Sequence, residues 1–320
     1  MKKVTLGRLI VYPILLIAIS IVFKDQLVSA LTQNNGFDLS GSLIDSNEIH
    51  HGGPAKDGIP AIDKPVFIAA RQADYLHNKD MVLGLAINGI AKAYPIKILN
   101  YHEIVNDFFL KQAVVISYCP LCGSGIGYSA NIEGINTTFG VSGLLYNSDV
   151  LLYDRETNSL WSQLLSKAIS GERKGIELDM LPVNHTTWQG WKKQYPDTVV
   201  LSDKTGFKRD YSRTPYGNYD KSQSLYFPVS QLNKDYHPKE YVLGLKLSGK
   251  TKVYPFAELS KIKSPYKDSF AGTNVTIVFD AKNRTGKIFD GGQNEIPIVT
   301  SFWFAWMAFY PESVVFKASD

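Results

Sequence analysis

Cysteine is nearly absent from this chain. There are two in 320 residues, Cys119 and Cys122, and both fall in the stretch SYCPLCGS (117–124). That scarcity excludes a disulfide-stapled scaffold, which would spread several pairs along the sequence. Charge of one sign is lacking as well: 34 Lys and Arg stand against 30 Asp and Glu, and no block of like charge occurs. Without a clustered basic face there is no footprint for a nucleic-acid partner. The chain also lacks a G-x-S-x-G elbow, a Walker loop and a Rossmann G-x-G-x-x-G, so serine-hydrolase and nucleotide-binding readings have no positive support. Long apolar runs are scarce too, the main one being Leu9–Phe23.

That run sets the compartment. Lys2, Lys3 and Arg8 precede it and Val28-Ser29-Ala30 follows it, the order of an export signal cleaved after Ala30. An uncleaved membrane anchor through residues 9–23 is the alternative. Either way the sequence predicts an extracytoplasmic protein, periplasmic or cell-surface, where a thiol pair is oxidised unless something reduces or metallates it. Cleavage would remove Lys2, Lys3, Arg8, Lys24 and Asp25 and leave 30 basic against 29 acidic residues, so the basicity belongs to the leader. Residues 31–50 read as a linker, and the remainder is long enough for one large or two ordinary domains.

Beyond the linker the chain repeats itself. MVLGLAINGIAKAYPIKIL (81–99) over YVLGLKLSGKTKVYPFAEL (241–259) gives nine identities in nineteen positions, where unrelated stretches share about one or two. VVISYC (114–119) falls on VTIVFD (275–280), and WQGWKKQYPDTVVL (188–201) on WFAWMAFYPESVVF (303–316). The fold expected is β-rich α+β, an internal duplication of a hairpin-helix-strand-helix unit with mostly antiparallel sheets. Residues 51–205 form the first repeat, with an insertion over 129–178, and 206–320 form the second, degenerate repeat. Asn88-Gly89 and Ser248-Gly249 mark the hairpin turns. Trp188/Trp191 and Trp303/Trp306, at helical spacing, are core anchors. Pro95 to Phe109 reads as a helix following a strand. His77 and His237, shared by both copies, are structural.

Residues present in one copy only are freer to serve a site. Asp280 stands over Cys119 and Asn283 over Cys122, while Tyr101-His102-Glu103 faces Lys261-Ile262-Lys263. A C-x-x-C disulfide closes so short a loop that its stabilisation is only about 2 kcal/mol. Two uses suit the motif better. One is thiol redox exchange, with one cysteine's pKa depressed. The other is capture of a soft metal, copper before zinc, by two thiolates and an imidazole. His102 is the candidate third ligand, provided its helix is offset, broken or crossing. Glu103 is a candidate ligand or base, or a solvent-facing helix residue. In the insertion, Ser148, Asp149 and Arg155 either build turns or fold back over the cysteines. The tyrosines of RDYSRTPYGNYDKSQSLY (209–226) line a ligand groove or cover the seam between halves.

The succession HHGGPAKDGIPAID, NGIAKAYPIKILNYHEIVND, SYCPLCGSG, FGVSGLLYNSDVLLYDRETNSLWSQ, LPVNHTTWQGW and TGFKRDYSRTPYGNY resembles a widespread prokaryotic family of exported proteins catalogued only as a domain of unknown function. Its members usually show Trp-His-Glu where this chain has Tyr101-His102-Glu103. The resemblance implies that His102, Glu103, Cys119, Cys122, Asp149, Asp154 and Arg155 belong to motifs, and it implies no activity. Two readings follow. Cys119, Cys122 and Glu103 carry redox chemistry or metal binding, with His102 as a ligand and Asp149, Asp154 and Arg155 contacting a cofactor or small-molecule partner. Alternatively the protein is a non-catalytic binding or scaffold module whose cysteines form a passive local disulfide.

Overall fold

The computed structural model describes residues 33–318, so the leader or anchor expected over residues 1–30 lies outside the described residues. Among the described residues no helix is long and apolar enough to cross a membrane. Strands dominate, most of them antiparallel, and the helices are single short segments such as Ile96–His102, Trp188–Gln194 and Trp303–Phe309. The chain is β-rich as expected.

Two hairpins set the frame. Strands Met81–Ile87 and Ile90–Pro95 are joined by Asn88-Gly89, and Tyr241–Leu247 and Lys250–Pro255 by Ser248-Gly249, with all four turn residues at positive φ. That geometry matches the twist of the strands it connects. In each hairpin a glycine admits an indole: a Cβ on Gly84 would lie 2.3 Å from the Trp191 ring and one on Gly244 2.1 Å from Trp306. Trp191 Nε1 donates to Thr198 Oγ1 at 2.8 Å and Trp306 Nε1 to Ser313 Oγ at 2.9 Å. The paired tryptophans are therefore buried anchors in both places, as the sequence predicts.

The sheet order around each hairpin is the same. Asn184–Thr187, Met81–Ile87, Ile90–Pro95 and Val199–Leu201 lie side by side in one sheet, and Val299–Phe302, Tyr241–Leu247, Lys250–Pro255 and Val314–Val315 in another, the last pairing being parallel in both. The second of these sheets continues through Ser124–Ser129, Gln112–Cys119 and Ile104–Phe109, so one sheet crosses the seam between the halves. The seam is closed reciprocally. Phe302 N–H donates to Cys122 O at 2.8 Å, and Thr187 N–H donates to Asn283 O at 3.1 Å. Each Trp helix thus starts against the turn of the opposite half.

Two expectations need correction. The segment Pro95 to Phe109 is not one helix: it ends at His102, Glu103 takes φ 56°, and Ile104–Phe109 is a strand paired with Gln112–Cys119. Pairing with Gln112–Cys119 on one side and with Ile62, whose N–H donates to Ile104 O and whose carbonyl accepts Asn106 N–H, on the other supplies ladder hydrogen bonds that outweigh the helical spacing of Ile98, Val105 and Phe109. The expected linker is packed over its described part: Phe37, Leu39, Ile44 and Ile49 are buried against Leu144, Leu151, Tyr153 and Leu160. Strand Ile49–His51 pairs with Phe139–Tyr146, and His51 bonds Asn35 and Gly53 N–H, which occupies the side chain locally. The insertion is built of strands and turns. Phe139–Tyr146, Asp149–Asp154, Leu160–Ser162 and Lys167–Ser170 form an antiparallel sheet that lies on the cysteine hairpin.

Candidate metal centre

The β-branched run of Gln112–Cys119 pairs with Ser124–Ser129, placing Cys119 opposite Ser124 and leaving Pro120 to Gly123 as the connecting turn. Gly123 has φ 58° and the Phe302 ring packs where its Cβ would be, 2.9 Å away. A side chain there would push the turn off the opposite half. Both sulfurs thereby face inward, buried and unpaired with each other.

The insertion supplies the third group. Strands Phe139–Tyr146 and Asp149–Asp154 are linked by Asn147 and Ser148, both at positive φ, a two-residue turn that drives its backbone toward the cysteines. Ser148 O accepts from Cys119 Sγ at 3.7 Å and Cys122 Sγ at 3.3 Å. Asp149 follows, and one of its carboxylate oxygens lies with the two sulfurs inside a cluster whose atoms are all within 4.8 Å of one another. Its Oδ2 accepts Leu164 N–H at 2.9 Å, while its Oδ1 is buried with no hydrogen-bond partner. The insertion is stitched down at Gln163, which accepts from Ser124 Oγ at 2.5 Å and donates to Ser117 Oγ at 2.9 Å.

Burial decides the electrostatics. It pushes Asp149 up to about 7 against the pull of Leu164 N–H, and Glu103 up to about 8 against the hydroxyl of Tyr216. It raises Cys119, and raises Cys122 further because the neighbouring sulfur and Asp149 add to the effect. Without a cation the two thiols therefore keep their protons at neutral pH. The nearby cation is Lys239, buried with its Nζ 4.0 Å from the Tyr219 ring centroid and held down to about 8 by desolvation.

His102 does not join the cluster. Its Nδ1–H donates to Pro60 O at 2.8 Å and its Nε2 accepts from Tyr211 Oη at 2.6 Å, so both nitrogens are spent and burial holds the ring neutral. Because the helix ends at His102, Glu103 alone turns toward the site, where Tyr216 Oη donates to its Oε1 at 3.4 Å. Asp149 takes the position expected for the imidazole.

Asp154 and Arg155 sit elsewhere. Asp154 is five residues along the strand from Asp149, about 17 Å, and binds Trp161 Nε1 at 2.8 Å, Thr157 and Arg173. Arg155 pairs with Asp63 at 2.7 Å. Asp154 thus braces the insertion internally, while Arg155 ties it to the segment before the first hairpin.

The tyrosine-rich connector does reach the site. Tyr211 bonds His102, Tyr216 bonds Glu103, Phe227 O accepts from Ser148 Oγ at 2.8 Å, and Ser230 N–H donates to Asn147 Oδ1 at 2.6 Å. Tyr219 is buried with an unpartnered hydroxyl. This strap covers the cysteine turn, and several motif residues serve to pin it. The tyrosine content hinted at such a role. Gln163 lies at the end of a quoted motif without being singled out, and Phe227 left no signal in the sequence.

No curated protein and no solved structure matches this chain. Residues 56–313 match the family described as protein of unknown function (DUF3179), and the chain belongs to that family.

Proposed function

We propose that the protein binds a transition-metal ion through Cys119, Cys122 and Asp149. The observation that carries this reading is the orphaned Oδ1 of Asp149, fully buried beside two free thiols. A buried polar atom without a partner costs about 1–3 kcal/mol, and an ion bound to it would remove that cost. Two sulfurs and one oxygen form a mixed soft and hard donor set. Borderline zinc fits it better than copper(I), which favours sulfur or imidazole throughout. Three protein ligands with a fourth position free is the pattern of a zinc site that keeps an exchangeable ligand.

Thiol redox exchange is the weaker reading. Reactive cysteines are exposed and have depressed pKa values, whereas these two are buried and raised. A passive disulfide fares no better, since the thiols are free.

We also propose that the two halves arose by duplication. The shared sheet order, the Gly84/Trp191 and Gly244/Trp306 pairs, and the matched Lys92–Asp107 and Lys252–Asp268 bridges at 2.8 and 2.6 Å support this. Only the first half, with its insertion, keeps the site. The basic-then-apolar N-terminus supports export, with the leader cleaved or retained as an anchor.

The test is zinc titration by calorimetry of wild type and Cys122→Ser. Tight one-to-one binding lost in the variant supports the reading. Absence of binding to the reduced wild-type protein refutes it.

A further inference from the structure

Beside the cluster lies a cavity of about 370 Å³, within the range of small-molecule pockets. Leu121 from between the cysteines and Val150 from beside Asp149 form part of its wall, Leu145 and Val141 another part, and Tyr216 and Phe227 of the strap its roof. Glu103 is the single ionisable carboxyl on the lining, and no Lys, Arg or His faces in.

We propose that this cavity binds a neutral, mainly apolar small molecule bearing a hydrogen-bond acceptor such as a carbonyl oxygen, which Glu103 receives. Four observations converge on this. The walls are aliphatic and aromatic, so an occupant gains from burying apolar surface. An anion would meet a carboxyl and no cation, and burying an unpaired charge is prohibitive. Glu103 is buried with no cation on the lining, which favours its neutral, protonated form, and its carboxyl has one hydrogen-bond partner among the described residues, Tyr216 Oη at a long 3.4 Å, which leaves donor capacity for a ligand. Finally, Glu103 holds φ 56° at a helix end where glycine or asparagine is the unstrained choice. The chain bears that strain to aim this side chain, and Lys263 replaces it in the other half. The cavity is walled by protein alone and needs no metal.

The test pairs two fluorescent probes that differ in charge, N-phenyl-1-naphthylamine (neutral) and 1-anilinonaphthalene-8-sulfonate (anionic). They are titrated into the full chain and two variants, with chelator present throughout so that the result is independent of the metal reading. The expected result is saturable binding of the neutral probe, with the anionic one weaker by roughly tenfold or more. Leu145→Trp, which fills the cavity, should cut neutral-probe affinity roughly tenfold. Tyr226→Ala, on the exposed rim, should weaken it by about threefold without threatening the core. Equal affinity for both probes would overturn the proposal. So would unchanged binding in a folded Leu145→Trp protein or, should that variant not fold, in Tyr226→Ala.

Discussion

Two turns occupy the same place in the two halves of the molecule. In the second half, Asp280 to Asn283 closes on itself: Asn283 Nδ2 donates to Asp280 Oδ2 at 2.7 Å, Asn283 N–H donates to Oδ1 at 3.1 Å, and Asn283 Oδ1 accepts from Thr187 Oγ1 at 2.6 Å. In the first half, Cys119 to Cys122 leans on a backbone carbonyl and faces a carboxylate oxygen with no partner. The Asp280–Asn283 turn is complete as folded, whereas the Cys119–Cys122 turn faces an oxygen left without a partner. The Asp–Asn version suffices to close the turn, and on the reading proposed above the thiol version serves the metal site.

The comparison breaks most sharply at Asp149. Asp149→Asn should lower zinc affinity roughly a hundredfold or more, because it removes a charged ligand, while Asp280→Asn on the matching turn should leave zinc affinity unchanged. Calorimetry on the two variants checks both.

Next in size is a pH effect. Glu103 and Asp149 titrate near 8 and 7 in the folded protein, against ordinary values of 4.5 and 3.8. The folded state therefore holds protons that the unfolded chain has released. Metal-free stability should fall as pH rises from about 4 to 8. Denaturant titrations at pH 5 and 8 measure this, and Glu103→Gln should flatten part of the slope. Added zinc should reverse it, because binding must displace protons from raised thiols and a raised carboxyl and so strengthens with pH.

Smaller effects test whether the halves are equivalent as scaffold. Gly84→Ala and Gly244→Ala each force a methyl against an indole, and both should cost about 1–3 kcal/mol in thermal unfolding. A large difference between them would separate the halves. Smallest is Tyr211→Phe, which removes hydrogen bonds to His102 and Thr205. It should cost about 1 kcal/mol and leave zinc affinity untouched, since the strap's anchor is not a ligand.

Much of this was legible in the sequence. The hairpins, the tryptophan helices and the privacy of Cys119 and Cys122 follow from the self-comparison, because a shared scaffold leaves shared residues. Asp149 was legible as a candidate, but its partnership with the thiols was not: it depends on how a two-residue turn aims the insertion, a long-range packing outcome. His102 misled for the same reason. Its neighbour Glu103 enters the left-handed region, and that single dihedral turns one side chain to the site and leaves the other bonded to Pro60 and Tyr211. Local spacing does not encode such a break. The apolar cavity was likewise unreadable, since its walls come from the arm before residue 60, the insertion and the connector.

X-ray absorption at the zinc edge of the loaded protein tests the central claim most directly. The account predicts two sulfur neighbours at about 2.3 Å and oxygen at about 2.0–2.2 Å, with no imidazole scattering. An imidazole signature, or a shell without sulfur, would contradict it.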